Sequence, residues 1–377
     1  MAGKRKISGI IIYGLAGLSL ISFLLARFLP WKPEELKTML SAATEMQAAI
    51  NFIRSYREEK GLPFDLKTDP NQTGLIGLKW SALTTTLGQL EAKRTTTNPD
   101  FAGLIVYLLR QAGVERGQAV AIGASSSFPA LIIASLAACK ALEITPIYIV
   151  SLGASQWGAN DPRFTWLDIQ DCLEKARWLP ELPVALSLGG ARDKGTGLEP
   201  EAKEMLLRKI SQKGLKLIHE PDLEKNVAFR LNLYETGARG KRIGAFINIG
   251  GGWANMGESE EILRFPPGLN IIDRTAAPFQ GVVWEMGRRR IPVIHLLYIK
   301  GLAEKYGLPW DPEPLPQPGQ SEFYRLARAS ARHFKLLAIT YLLIASLSLL
   351  FFPKKMVPSY KKKWCHPTYS LFFHINR

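Results

Sequence analysis

Residues 119–152, AVAIGASSSFPALIIASLAACKALEITPIYIVSL, decide the fold. An apolar run (Ala119–Gly123) ends in a glycine and three serines. Pro129 then opens a stretch too long and too uniformly apolar for one strand, and a β-branched run, Thr145–Leu152, follows. Proline is favoured at the first helical position because its missing N–H would have no partner there. The stretch therefore reads as strand, loop, helix, strand, the unit of a parallel sheet.

The same rhythm extends in both directions. Upstream lies a helix over Phe101–Ala112. Downstream, helices over Trp166–Trp178, Glu199–Lys213, Asp222–Thr236, Gln280–Arg289 and Ile299–Tyr306 alternate with strands over Pro183–Leu188, Leu215–His219, Ile243–Ile249 and Pro292–Leu297. Short strands alternating with amphipathic helices predict an α/β body, a doubly wound parallel sheet covered on both faces. A further helix is expected over Pro33–Tyr56, where apolar residues recur at helical spacing behind Pro33, Glu34 and Glu35.

The 377 residues include 48 Lys and Arg against 33 Asp and Glu, a net charge of +15. The excess belongs to the ends. Eleven basic residues, from Lys4 to Arg27 and from Lys335 to Arg377, lie in flanks without any acidic residue, which leaves 37 against 33 and a net of +4 between them. A nearly balanced body removes the usual electrostatic signature of a nucleic-acid partner, and none is expected.

Two long apolar runs occupy the same flanks, 7–29 and 334–352. Each has about the 20 residues needed to cross a bilayer. Arg27-Phe-Leu-Pro-Trp lacks the small-residue pattern of a cleaved signal, so the first run reads as an uncleaved anchor. Lys4, Arg5 and Lys6 precede the first run, and Lys354, Lys355 and Lys361–Lys363 follow the second. The positive-inside rule then places both termini in the cytoplasm and the body outside it.

The expected organisation is a cytoplasmic N-terminus (1–6), a membrane span (7–29), a membrane-proximal helical and loop region (30–99), the extracytoplasmic α/β domain (100–309), a Pro-rich linker with a juxtamembrane helix (310–333), a second span (334–352) and a basic cytoplasmic tail (353–377). The linker core, WDPEPLPQPGQ at 310–320, should be an extended, semi-rigid spacer.

Ligands of open parallel sheets sit at the carboxyl ends of the strands, where four loops carry suggestive residues. Gly123-Ala-Ser125-Ser126-Ser127 nearly matches a Gly-x-Ser-x-Gly nucleophile elbow, but Ser127 replaces the glycine that permits the sharp turn. The same serines, in front of a helix start, also suit an anion. SLGGARD contributes Gly189, Gly190 and Arg192, NIGGGWAN contributes Gly250, Gly251, Gly252 and Asn255, and SLGASQW, 151–157, follows a fourth strand. With Ser125 as nucleophile, His295, His219 and Asp273 would be the candidate acid and base partners. Arg288–Arg290 read as a solvated helix end. No metal is expected, because no histidine pair or Cys-x-x-Cys occurs, and no nucleotide cofactor, because neither the Walker nor the Rossmann spacing is present. Whether Cys139 and Cys172 pair, and whether the chain is an enzyme, the residues leave open.

The strings IGASSSFPAL, VSLGASQWGAND, LSLGGARDKGTGLEPEA, HEPDLEKNVAFRLNLYE, NIGGGWANMG and IPVIHLLYIKGLAEKYGLPWDP, spanning 121–312, resemble the bacterial poly-γ-glutamate system protein family. The resemblance implies an accessory membrane protein that works with the ligase and membrane subunits making and exporting this acidic polymer, and it carries over no catalytic residue. The residues themselves keep two other functions open: a γ-glutamyl hydrolase or transferase with a serine nucleophile, and an extracytoplasmic small-ligand binder or sensor.

Overall fold

The computed structural model describes residues 14, 17–21, 33–258, 264–272, 281–325, 339–343 and 346. The chain divides into two compact units, Met1–Leu29 with Ala331–Arg377, and Pro30–Ser330. In the first, the described residues are helical, and Ser19 Oγ and Tyr341 Oη share a hydrogen bond of 2.8 Å. Most of the two apolar runs lies outside the described residues. Among those described, no helix is long and apolar enough to cross a membrane.

The second unit begins with helix α1 (Pro33–Glu59), followed by strand β1 (Thr84–Thr86) and helices α2 (Leu90–Thr96) and α3 (Asp100–Gln111). Then come β2 (Ala119–Ser125), α4 (Pro129–Leu142), β3 (Thr145–Ser151), three two-residue strands, β4 (Ala154–Ser155), β5 (Asn160–Asp161) and β6 (Phe164–Thr165), and α5 (Trp166–Lys175). The remaining elements are β7 (Ala185–Ser187), α6 (Pro200–Gln212), β8 (Leu217–Ile218), α7 (Leu223–Gly237), β9 (Ile243–Ile249), α8 (Trp253–Met256), β10 (Gly268–Asn270), α9 (Val282–Arg288), β11 (Val293–Leu296) and α10 (Ile299–Tyr306).

Seven strands form one sheet in the order β10-β11-β9-β2-β3-β7-β8. Neighbours from β11 to β8 are parallel, and only the short edge strand β10 is antiparallel. The chain moves outward from β2 through β3, β7 and β8, then returns to lay β9 on the other side of β2. The strand order therefore reverses between β2 and β9, which opens a crevice at their carboxyl ends.

Both faces are covered, as a parallel sheet requires. Ala119 and Ala121 of β2, Ile147 and Ile149 of β3 and Phe246 of β9 pack against Val227, Leu231 and Tyr234 of α7 and Val282, Val283 and Met286 of α9. On the other face α1, α3 and α4 pack together. Met39, Ala42, Ala43, Met46, Ala49, Ile50 and Ile53 make the buried stripe of α1, so this helix belongs to the same compact unit as the sheet. Helix α4 is buried at nearly every position, which explains its uniformly apolar sequence; it stops at Glu143, in the left-handed region with φ 54°. Cys139 and Cys172 are both buried and free.

The Pro-rich segment differs from the expected spacer because it is tied to the body. Asp311 pairs with Arg94 at 2.5 Å, Asn71 Nδ2 donates to the Pro312 carbonyl, and Asp100 accepts from the Gly319 and Ser321 N–H groups at 2.7 and 3.0 Å.

Candidate functional site

Register puts three serines in a row. Ser125 pairs with Ser151 across β2–β3, and Ser151 with Ser187 across β3–β7, all at carboxyl ends of strands. Two residues separate same-face positions of a strand, so these serines share the α7 face with Ala119, Ile147 and Ala185. Beside them lies a cavity of about 310 Å³, lined by the loops after β2, β3, β7 and β9 and by α2 and the first turn of α10.

One wall is a buried polar cluster. Arg230, from α7, donates to Asp193 Oδ2 at 2.6 Å and to Ser187 Oγ at 2.8 Å, and Asn226 Nδ2 reaches the same carboxylate oxygen at 3.1 Å. Ser187 Oγ donates to Asp193 Oδ1 at 2.7 Å. Asp193 lines the cavity with its charge matched by Arg230. The tight loop that delivers it has left-handed backbone at Gly189, Gly190, Arg192 and Asp193. A Cβ on Gly190 would fall 2.1 Å from the Thr196 carbonyl oxygen, so only glycine fits.

The opposite wall is built around Lys93 of α2. Its side chain is almost wholly enclosed, and its Nζ contacts the Ser127 carbonyl oxygen at 2.5 Å, Ser155 Oγ at 2.8 Å and the Phe128 ring, 3.4 Å from the centroid. No carboxylate lies within ion-pair distance of it among the described residues. Burial without a counter-charge penalises the ammonium form and pulls Lys93 down to about 7. Ser125 Oγ donates to Ser127 Oγ at 3.0 Å, and Ser127 Oγ accepts the Ser155 N–H at 2.9 Å, so the Ser125 and Ser127 hydroxyls are tied to the Ser155 backbone. A second lysine, Lys300, is exposed and also lines the cavity.

The structure brings together Ser125, Ser127, Gly189, Gly190, Gly251 and Gly252 as lining residues. Gly250 lies just behind them, where a Cβ would come within 3.3 Å of the Ser125 Cβ. Ser126 is buried, its Oγ without a hydrogen-bond partner. Asn255 is packed onto Gly123, where a Cβ would be 2.5 Å from its side-chain amide. Arg192 turns to Glu258 at 2.6 Å.

The histidines are elsewhere. His295 is buried on β11, its Nδ1 3.1 Å from Asn248 Nδ2, which donates to it and fixes the ring proton on Nε2. Burial lowers it to about 4, so the ring is neutral. His219 is exposed at the end of β8, on the sheet edge away from β9, and neither ring lines the cavity. Asp273 lies outside the described residues. Ser125 thus has Ser127 as its side-chain partner rather than a histidine. Arg288 and Arg289 are held by Glu285 and Glu235.

The side chains that sequence reading did not single out are Lys93, Ser155 and Lys300, and on the opposite wall Ser187, Asn226 and Arg230. Lys93 sits in EAKRTTTNPD, a polar stretch without periodicity, and nothing there signals a buried amine. No family model, no curated protein and no solved structure matches the chain.

Proposed function

We propose that the protein is an accessory membrane subunit of poly-γ-glutamate synthesis and export, whose outward α/β domain holds a glutamyl terminus or a short γ-glutamyl piece in the cavity at the strand-order reversal. One observation carries the ligand class. The cavity's carboxylate, Asp193, is matched by Arg230, whereas Lys300 and the protonated form of Lys93 have no carboxylate partner among the described residues, so the lining carries positive charge and is rich in hydroxyls. An anionic ligand supplies what is missing. The volume of about 310 Å³ suits one or two glutamyl residues, at the small end of ligand pockets, rather than a length of polymer. This favours end recognition over a polyanion groove.

The membrane reading rests on the two apolar runs and their basic flanks, and the pathway on the strings spread over 121–312. On this reading both termini lie in the cytoplasm and the body outside the cell membrane, with the polymer ligase and its membrane subunits as partners. Ligation would belong to a partner, since this chain has no phosphate-binding lysine motif.

Two measurements test the proposal. In full-length protein in detergent, glutamate or γ-glutamylglutamate should change the fluorescence of Trp253, which lines the cavity, and Lys300→Ala should weaken that binding roughly tenfold, or about 1.4 kcal/mol. In a producing host deleted for this chain, surface polymer should fall in amount or change in length. Unaltered polymer in the deletion strain would reject the pathway.

A further inference from the structure

The cavity contains an arrangement that binding alone does not require. Lys93 Nζ has three neighbours of different chemistry: the Ser127 carbonyl oxygen, which can only accept; the face of the Phe128 ring, which attracts N–H; and the Ser155 hydroxyl, which can give up a proton. In a neutral amine the two N–H bonds are drawn to the first two. The ammonium donates to Ser155 Oγ at 2.8 Å, and the Ser155 hydroxyl has only a long contact, 3.5 Å, to the Gln156 carbonyl; on loss of a proton the Lys93 lone pair is left for Ser155 and the bond reverses. Ser155 is itself held by its backbone N–H on Ser127 Oγ and borders the cavity. Ser125 has no such base, because its hydroxyl hydrogen goes to Ser127.

We infer that Ser155 is a nucleophile with Lys93 as its general base, and that the cavity performs acyl transfer on a small amide or ester carrying a free carboxylate. The substrate class rests on the binding function proposed above; the Ser155–Lys93 pair does not. Burial pulls Lys93 down to about 7, so an unprotonated amine is accessible near neutral pH to act as base.

In the first step Ser155 Oγ bonds to the substrate carbonyl carbon while its proton passes to Lys93 Nζ, and the carbonyl π pair moves onto oxygen. As that pair returns, the bond to the leaving nitrogen or oxygen breaks with its electrons, and the leaving group takes the proton from Lys93. Ser155 now carries the acyl group as an ester. Water attacks that ester and gives a proton to Lys93. The carboxylic acid departs, and Oγ takes the proton back. One water is consumed, and an amide becomes an acid and an amine. A second amine in place of water would make the same site a transferase.

The test is reaction of the full-length protein with a fluorophosphonate, which phosphonylates an activated serine oxygen and expels fluoride. Intact-mass and peptide mapping would be run from pH 5.5 to 9. The expected result is one adduct, on Ser155, forming at a rate that rises with pH and levels off above an inflection near 7. Ser155→Ala and Lys93→Arg should each slow labelling by at least about 100-fold, since arginine keeps the charge but cannot serve as base. If Lys93→Arg does not fold, the wild-type pH profile and the mapped residue still decide. No adduct, an adduct on Ser125, or a Ser155 adduct whose rate ignores pH would overturn the inference. Failure of wild-type protein to bind glutamate while Ser155 is labelled would instead overturn the ligand class and leave the catalytic pair standing.

Discussion

Arg230 Nη2 and Asp193 Oδ2 are 2.6 Å apart, and the two side chains are only 1% and 2% exposed. A pair enclosed to this degree gains little over an apolar pair of the same shape, but removing one partner strands the other's charge. Arg230→Met should therefore destabilise the body by about 3–5 kcal/mol. Adding Asp193→Asn should recover part of that loss. Urea unfolding of the two single variants and the double variant measures the coupling. Simple additivity would show that the pair is not a unit.

His295 gives the stability a pH dependence of definite sign. The unfolded chain takes up the imidazole proton near pH 6.5 and the folded chain only near 4, because burial disfavours the charged ring. Between these values the unfolded state binds more protons, so stability rises with pH from about 4 to 6.5 and is lost on acidification through the same window. The full contribution is roughly 3 kcal/mol. His295→Leu removes the titrating group and should flatten this part of the profile, measured as unfolding free energy from pH 4 to 8. An unchanged slope would assign the acid sensitivity to other groups.

The core of this fold can be read from the sequence where hydrophobic pattern is strong and continuous. Strands β2, β3 and β9 are buried apolar runs, and α4 is bounded by Pro129 and Glu143. The two-residue strands β4–β6 and the three-residue strands β1 and β10 carry no periodicity, since so short an element shows no alternation. The site divides in the same way. Glycines and serines after β2, β7 and β9 stand out because loops at strand ends are where a parallel sheet binds. Lys93 does not stand out, because its role comes from a seven-residue helix folded over the strand ends, and only the fold brings it to Ser155, 62 positions away. Likewise the row Ser125, Ser151, Ser187 follows from strand register and is invisible in spacing.

Asp100 anchors the segment that leaves the body. Its carboxylate is buried and accepts the N–H groups of Gly319 and Ser321, and Asp311 adds its pair with Arg94. Hydrogen bonds to a charged acceptor are among the stronger ones. Asp100→Ala should lower stability by about 2–3 kcal/mol and expose the 310–320 segment to protease. Limited proteolysis with mapping of the first cleavage, compared between wild type and variant, checks this. Cleavage at the same site and rate in both would show that the segment is held by other contacts.

Gly158 supports the site from behind, through space alone. A Cβ there would lie 2.8 Å from both the Ser126 carbonyl oxygen and the Ser127 Cα, and 3.0 Å from the Ser127 carbonyl oxygen, the acceptor of the Lys93 amine. All three atoms are main-chain, so no side chain can swing aside. The loop itself must move. Gly158→Ala should cost about 1–3 kcal/mol by overpacking and shift the Ser127 carbonyl away from Lys93, weakening glutamate binding and Ser155 labelling together. Gly113→Ala is the control for general glycine effects, since a Cβ there meets nothing within 4 Å and the strain comes only from its φ of +80°. It should lower stability without lowering binding in the protein that remains folded. If Gly158→Ala lost stability but kept both site readouts, the Ser127 carbonyl would not be what positions Lys93.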